Sequence, residues 1–377
     1  MDYEIAFLLI SVIIGIGFFS NYFFKKTRIP DVLWLIVFGA FLGPVFGIVD
    51  SSMLMPYFSF FSSIALLLIL FEGGSQINIY DLIKESKDVF VLTTMGVLSS
   101  AVVVGIVSYF VLKTNVIISL LLGFIVGGTS SAIVVPILQD LEEIKKIKTR
   151  SSLVLKMESI LTDPIVIIIS LVLIKAAVFY SPGSISWQMI VTKVLSLLSI
   201  SLVFGFFAGV LWGGIWHKFV RYKYHYMLTI GFLFLMYVVS EYFGGNGAIS
   251  SFMIGLVLGN STQVKKMLRL DHVITGLSKE IRTFNSYINF FVRTFFFTFV
   301  GVMITISRID LILYGILISL ILLGVRYFVV LLSTWKMNIS HRDKIEMTLI
   351  YPRGLAAAVL ASIPFVQYGI KETSIFP

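Results

Sequence analysis

The sequence predicts an all-α polytopic membrane protein, and three observations predict it. Apolar residues make up 58% of the 377 and charged residues only 13%, with a mean hydropathy of +0.99. A soluble domain carries about twice that charged fraction. The apolar residues fall in runs of about 20, the length that crosses a hydrocarbon core as a helix. Between the runs, lysine and arginine collect on alternate loops, as they do when cytoplasmic loops retain the positive charge.

Reading apolar runs between polar clusters places twelve spans, at about 5–24, 30–49, 56–74, 89–112, 115–139, 152–180, 188–216, 226–243, 246–262, 284–306, 310–335 and 344–366. The first follows Asp2 and Glu4 and has neither a basic leader nor a small-residue cleavage site, so it reads as a span and not a signal peptide. Gly244, Gly245, Asn246 and Gly247 separate the eighth span from the ninth. Loops on one side hold twenty basic residues, among them Lys25, Lys145, Lys218, Lys265 and Lys344. The other side holds only Lys113, Lys175, Lys193, Arg308 and Lys371. That asymmetry puts the amino terminus outside a cell membrane and the even-numbered spans running outward. The chain then finishes outside, where Ile375, Phe376 and Pro377 read as the start of a further apolar stretch, and a thirteenth helix is expected beyond them.

Several chemistries are excluded. With no cysteine there is no disulfide, thiolate metal site, iron–sulfur cluster or thiol nucleophile, and four scattered histidines do not suggest a catalytic metal. The net charge of +9 lies in loops without a basic patch interleaved with aromatics, so it implies no nucleic acid; the partner is the lipid bilayer. No cofactor is expected, and the chain reads as a transporter, not an enzyme.

Once the loop charges are set aside, few ionisable residues remain within spans: Lys156, Glu158, Asp163, Arg293, Arg326 and Arg353, with Glu72 and Glu241 nearer span ends. An ionisable group at membrane depth is costly and marks an ion or proton pathway by default. Asp163 lies about twelve residues into span six, near the midplane at about 1.5 Å per residue, and is the candidate titrating group. Ser159 and Asp163 are i, i+4 neighbours, so a hydroxyl and a carboxylate on one face can ligate the same small cation. Glu158 and Thr162 share another face. Arg326, about sixteen residues into span eleven, reaches a similar depth and is the expected partner of Glu158, a pairing that would keep both charged. Glu72, followed by Gly73 and Gly74, is an accessory ligand facing an inner funnel or an interfacial charge. Arg293 has no acid within its own helix and is assigned to an unwound helix end or a mobile interface. Lys156 is read as snorkelling to the inner boundary.

Two spans look interrupted. Gly127, Gly128, Thr129, Ser130, Ser131, Ala132 and Pro136 break span five; Pro352, Arg353, Gly354, Leu355, Ala356, Ala357, Ala358 and Pro364 break span twelve. Discontinuous helices at corresponding places in two halves point to a transport site, because their free backbone ends can bind ions. Close helix packing through small residues is the competing explanation for either segment alone.

The run Glu158, Ser159, Leu161, Thr162, Asp163, Pro164 resembles the acidic-helix signature of the monovalent cation:proton antiporters, nearest the NhaP-type sodium/proton exchangers. Phe71 to Gly74, Thr129, Arg293 to Phe297, Arg326 and the Arg353–Gly354 pair extend the resemblance along nearly the whole chain. It implies an NhaA-like inverted-repeat fold with crossing helices 5 and 12 broken, and a homodimer. It further implies an ion-transporting core (89–187 and 310–377) moving against a dimerisation scaffold (1–88 and 188–309). By the same resemblance Asp163 binds Na+ and H+ in turn, with Ser159, Thr129 and Glu72 as helpers, Glu158 and Arg326 form the stabilising pair, and Arg353 lies near the crossing; Thr162 and Ser130 are counted with the ion-binding residues. Two departures stand out: Thr162 replaces the family's usual asparagine, and Ser130 stands where many members carry an aspartate. Ser130, Ser131 and Ala132 resemble the potassium-efflux branch, which leaves K+ open as the cargo. One free carboxylate at the site favours electroneutral exchange of Na+ or Li+ for H+. A cation channel, a sodium-coupled symporter and a non-transporting scaffold or sensor are the competing classes.

Overall fold

The computed structural model describes residues 3–27, 29, 31–80, 86–145, 149–179, 187–216, 219, 222, 225–269, 279–304, 309–335, 337, 339–370 and 373. Ile375 to Pro377, the expected start of a further helix, lie outside them. Every apolar run is helical. In chain order the helices are α1 (Tyr3–Thr27), α2 (Asp31–Ala40, continuing into a π-helical turn at Phe41–Val45), α3 (Ser51–Gln76), α4 (Ser86–Leu112), α5 (Val116–Ile125), α6 (Ser131–Lys145), α7 (Arg150–Phe179) and α8 (Trp187–Trp216). They continue with α9 (His225–Tyr242), α10 (Gly247–Gly259), α11 (Ser261–Leu268), α12 (Lys279–Met303), α13 (Ile309–Ser333), α14 (His341–Leu349) and α15 (Leu355–Val366). Among the described residues, α3, α4, α7, α8 and α13 are long and apolar enough to cross a membrane, and apolar stretches of 10–17 residues lie within α1, α2, α5, α9, α10, α12 and α15.

Local chemistry sets many of the ends. Asn115, Asn246 and Ser340 each accept a hydrogen bond from a backbone N–H in the first turn of the helix they precede, satisfying a donor the helix cannot. The span read as ending near residue 262 instead stops at Gly259. Asn260 there turns its amide to the carbonyls of Ile77 and Leu256 and accepts from the Ile79 N–H, and the short α11 follows.

The chain forms two compact packing units: residues Met1–Ala65, Ser286–Leu317 and Ala358–Pro377 in one, Leu66–Asn285 and Ile318–Ala357 in the other. The first unit has an aromatic core. Phe58 lies 5.3 Å from Phe296 and 5.0 Å from Phe299, and Phe61 stacks on Phe295 at 4.3 Å between ring centroids. Gly39 and Gly301 let α2 and α12 cross backbone to backbone; a Cβ on Gly301 would meet the Ile36 carbonyl.

The second unit packs α4 on α5, α5 and α6 on α7, and α8 on α10. Its closest approaches also run through glycine: Gly123 meets the Ala101 carbonyl, and Gly255 and Gly259 meet the carbonyls of Phe71 and Ser75 in α3. Small residues at helix contacts are what membranes favour, because lipid supplies no hydrophobic force between helices and packing must do so. Only 28% of the most apolar stretch of α8, and of α13, is buried, so side chains such as Phe207, Leu211, Leu320 and Phe328 face outward as a lipid-solvated surface requires.

The Gly255 contact yields a test. Gly255→Val should lower the detergent-solubilised melting temperature, at a cost of about 1–3 kcal/mol of overpacking. Gly231→Ala, with nothing within 4 Å of an added Cβ, should leave it unchanged or slightly raised. Size-exclusion fluorescence after graded heating measures both, and equal melting temperatures for the two variants would contradict the packing account.

Candidate functional site

The site is built on α7. That helix carries Glu158, Ser159, Thr162 and Asp163 in just over one turn, then Pro164, whose missing N–H leaves the carbonyl one turn back without its helical partner. Around it lie two stretches where the chain is not helical, 126–130 between α5 and α6 and 350–354 between α14 and α15. The two stretches are joined directly: the Ser130 N–H donates to the Pro352 carbonyl at 3.0 Å. Ser130 also packs against Gly354, where any Cβ would collide with the serine side chain.

Interrupted backbone leaves donors and acceptors that must be satisfied within the protein. Three consecutive carbonyls of the first stretch are each taken by a side chain. Tyr351 donates its hydroxyl to the Gly127 carbonyl at 3.2 Å, Arg353 donates Nη1 to the Gly128 carbonyl at 2.5 Å, and Thr162 donates Oγ1 to the Thr129 carbonyl at 3.0 Å. Thr162 Oγ1 accepts in return from the Thr129 N–H at 3.2 Å. The hydroxyl at this position is therefore no loose substitute for an amide; it serves as donor and acceptor to the same residue of the break.

The two carboxylates of α7 meet different surroundings. Glu158 is 1% exposed and is held by both oxygens: Arg326 Nη1 donates to Oε1 at 2.5 Å and Nη2 to Oε2 at 2.7 Å. Arg326 Nε goes to the Met347 carbonyl at 3.1 Å. Gly96 of α4 closes over the pair; a Cβ there would lie 3.7 Å from Glu158 Oε1. Asp163, by contrast, accepts at Oδ2 from the Ser131 N–H at 3.1 Å and the Ser131 hydroxyl at 2.9 Å, both at the start of α6. The positive end of that helix dipole favours a carboxylate there. Among the described residues no cationic side chain pairs with Asp163, and no group of three or more His, Cys, Asp or Glu stands together as a metal cluster.

The remaining predicted residues are placed as follows. Ser159, one helical turn before Asp163, is buried and donates its hydroxyl to the Lys156 carbonyl at 2.9 Å, which leaves its lone pairs for another partner. Thr129 Oγ1 is buried without a hydrogen-bond partner among the described residues. Glu72 accepts from Gln76 Nε2 at 3.0 Å, and its neighbour Gly73 abuts Pro164, with an added Cβ 3.1 Å from the proline ring. Arg293 belongs to the other packing unit, where it ion-pairs with Asp31 at 2.7 Å.

Four participants escaped the sequence reading. Ser131, one residue beyond the Ser130 singled out, is the donor to Asp163. Tyr351 brings its ring 3.8 Å from the Arg353 guanidinium carbon and 4.6 Å from that of Arg326. Ser100 lies 3.1 Å from the Tyr351 hydroxyl. Asp31, at the start of α2, is the partner of Arg293. The available signal for Tyr351 was its position, an aromatic two residues before an arginine at a chain break.

The helices define an integral membrane protein, and comparison with known proteins places it further. The family model described as sodium/hydrogen exchanger, transmembrane, matches residues 8–372, so the chain belongs to the sodium/hydrogen exchanger family. It is 25% identical over 368 residues to the probable Na+/H+ antiporter 2 of Methanocaldococcus jannaschii, spanning 94% of this chain and 82% of that protein. It is 24% identical to the K+/H+ antiporter NhaP of Alkalimonas amylolytica over 99% of this chain, which spans 62% of that longer protein. The solved structure of the sodium proton antiporter MjNhaP1 of M. jannaschii at pH 8 superposes with a TM-score of 0.81, at 23% identity, covering all of this chain and 92% of the other. The resemblance read from the residues is thereby borne out at the level of a cation/proton antiporter family.

The buried pair predicts a stability result. Glu158→Gln leaves Arg326 charged and uncompensated, at a cost of about 3–5 kcal/mol, and should lower the melting temperature markedly. The double variant E158L/R326M should melt above the single variant E158Q. A double variant no more stable than E158Q would contradict the assignment of the loss to an uncompensated charge.

Proposed function

We propose that the protein is a secondary antiporter exchanging Na+ or Li+ for H+, one cation per proton, with Asp163 binding the two in competition. The observation that carries the proposal is the contrast within α7. Glu158 is neutralised by a bidentate arginine, whereas among the described residues Asp163 receives only the neutral donors of Ser131. An ionised carboxylate in a low-dielectric interior is costly unless a proton or a cation accompanies it. Two mutually exclusive ways to meet one need are sufficient to couple the two ions. Ser159, whose hydroxyl proton is committed to the Lys156 carbonyl, and Thr129, whose buried Oγ1 lacks a partner among the described residues, are the proposed further oxygen ligands, with Glu72 as an accessory on the approach. Thr162 and Ser130 hold the surrounding backbone.

In this reading the amino terminus lies outside the cell membrane and the protein works as a homodimer. Alternating access is elevator-like: residues 89–187 and 310–377 move as the transporting core against the scaffold of 1–88 and 188–309. The links from α7 to 126–130, and from there to 350–354, support motion of these elements as one piece. Potassium is the second reading, favoured by the Ser130–Ser131–Ala132 run and by the similarity to a K+/H+ antiporter.

Proteoliposomes with an imposed pH gradient decide both points. The intact protein should exchange Na+ and Li+ for H+, and Asp163→Asn should abolish the flux while the protein remains folded. Retained exchange in D163N removes Asp163 from the role, and flux with K+ alone transfers the proposal to the second reading.

A further inference from the structure

The Tyr351 contacts form a single chain of positions from the Glu158–Arg326 pair to the backbone beside Asp163. Its ring is 4.6 Å from the Arg326 guanidinium carbon and 3.8 Å from that of Arg353, close enough for a cation–π attraction to each. Its hydroxyl is committed twice. A phenol has one proton; given to the Gly127 carbonyl, it leaves the oxygen as acceptor, so Ser100 of α4 is the donor in the 3.1 Å contact between them. Tyr351 thus fixes Gly127 from above by a bond and Gly128 through Arg353, and Thr129 follows directly in the chain.

From this geometry we infer that Tyr351 is a positioning residue for the cation: its hydroxyl sets the path of the backbone at Gly127 and so the placement of Thr129 Oγ1 and the Ser131 donors relative to Asp163. The inference rests on the exchange site proposed above. Three consecutive carbonyls of the break are held by Tyr351, Arg353 and Thr162, and the proposed side-chain ligand Thr129 takes its position from that backbone. Supporting contacts around an ion site shift affinity by about 10–100-fold when lost, because they orient ligands they do not replace. The hydroxyl holds Gly127, two residues before the proposed ligand Thr129, and should act at the low end of that range.

Tyr351→Phe removes the two hydroxyl contacts and keeps the ring between the arginines. In proteoliposomes it should raise the KM for Na+ by about 10-fold, with Vmax within about twofold of the parent and an unchanged melting temperature. Ser100→Ala, which removes the donor that orients the phenol but leaves the bond to Gly127, should raise KM in the same direction by a smaller factor. A parental KM in Y351F overturns the inference, as does a lowered melting temperature with no change in KM. Should Y351F fail to fold, an unaltered KM in S100A overturns it instead. Failure here is separable from failure of the site itself: an active D163N sinks the site, whereas an inactive D163N beside a Y351F of parental KM sinks only the role of Tyr351.

Discussion

A backbone that leaves the helix inside a low-dielectric interior exposes N–H and C=O groups that neither water nor the helix can satisfy, and the second packing unit is organised around that constraint. At 126–130 the free carbonyls go to Tyr351, Arg353 and Thr162; at 350–354 the Pro352 carbonyl goes to the Ser130 N–H. Each break supplies part of what the other lacks. The helix ends contribute as well, since Arg353 brings a positive charge to carbonyls just past the end of α5, and Asp163 brings a negative one to the start of α6.

The same constraint explains why two carboxylates five residues apart on one helix differ in character. Glu158 faces α13 and α4, where a guanidinium fork of matching shape takes both oxygens and Gly96 packs over the pair. Such a pair repays its desolvation only with good geometry, and here Arg326 finds a third acceptor in Met347. Asp163 faces the break, where the available donors are a backbone amide and a serine hydroxyl. Neutral donors orient a carboxylate without cancelling its charge, and that leaves it open to a proton or a small cation.

Much of the helical architecture was legible because membrane helices announce themselves by length and apolarity. Runs read from composition alone fall on helices, but not one to one: the fifth covers α5 and α6, the twelfth covers α14 and α15, and the ninth stops early at Gly259, where the Asn260 side chain ends α10. Glu158 and Arg326 were legible as charges of matched depth, since helical rise converts sequence position into height. Ser131 was not, because a serine next to two other small polar residues carries no sign of which one faces the acid. Tyr351 was not, because an aromatic among apolar residues resembles any other packing group. The Arg293 pairing with Asp31 was hidden for a different reason: Asp31 sits at a helix start, where an acid is ordinary.

The sequence by itself determined the class of protein, the stretches that become helices and the short set of ionisable residues that the membrane cannot hold without purpose. It could do so because the cost of transferring charge and peptide groups into hydrocarbon is large and depends on residue type more than on neighbours. Which donor meets which acceptor was decided only by the tertiary structure. Those pairings depend on the rotation of each helix about its axis and on the path of non-helical backbone, and both are set by contacts between residues far apart in the chain, such as Arg326 with Glu158 and Tyr351 with Gly127.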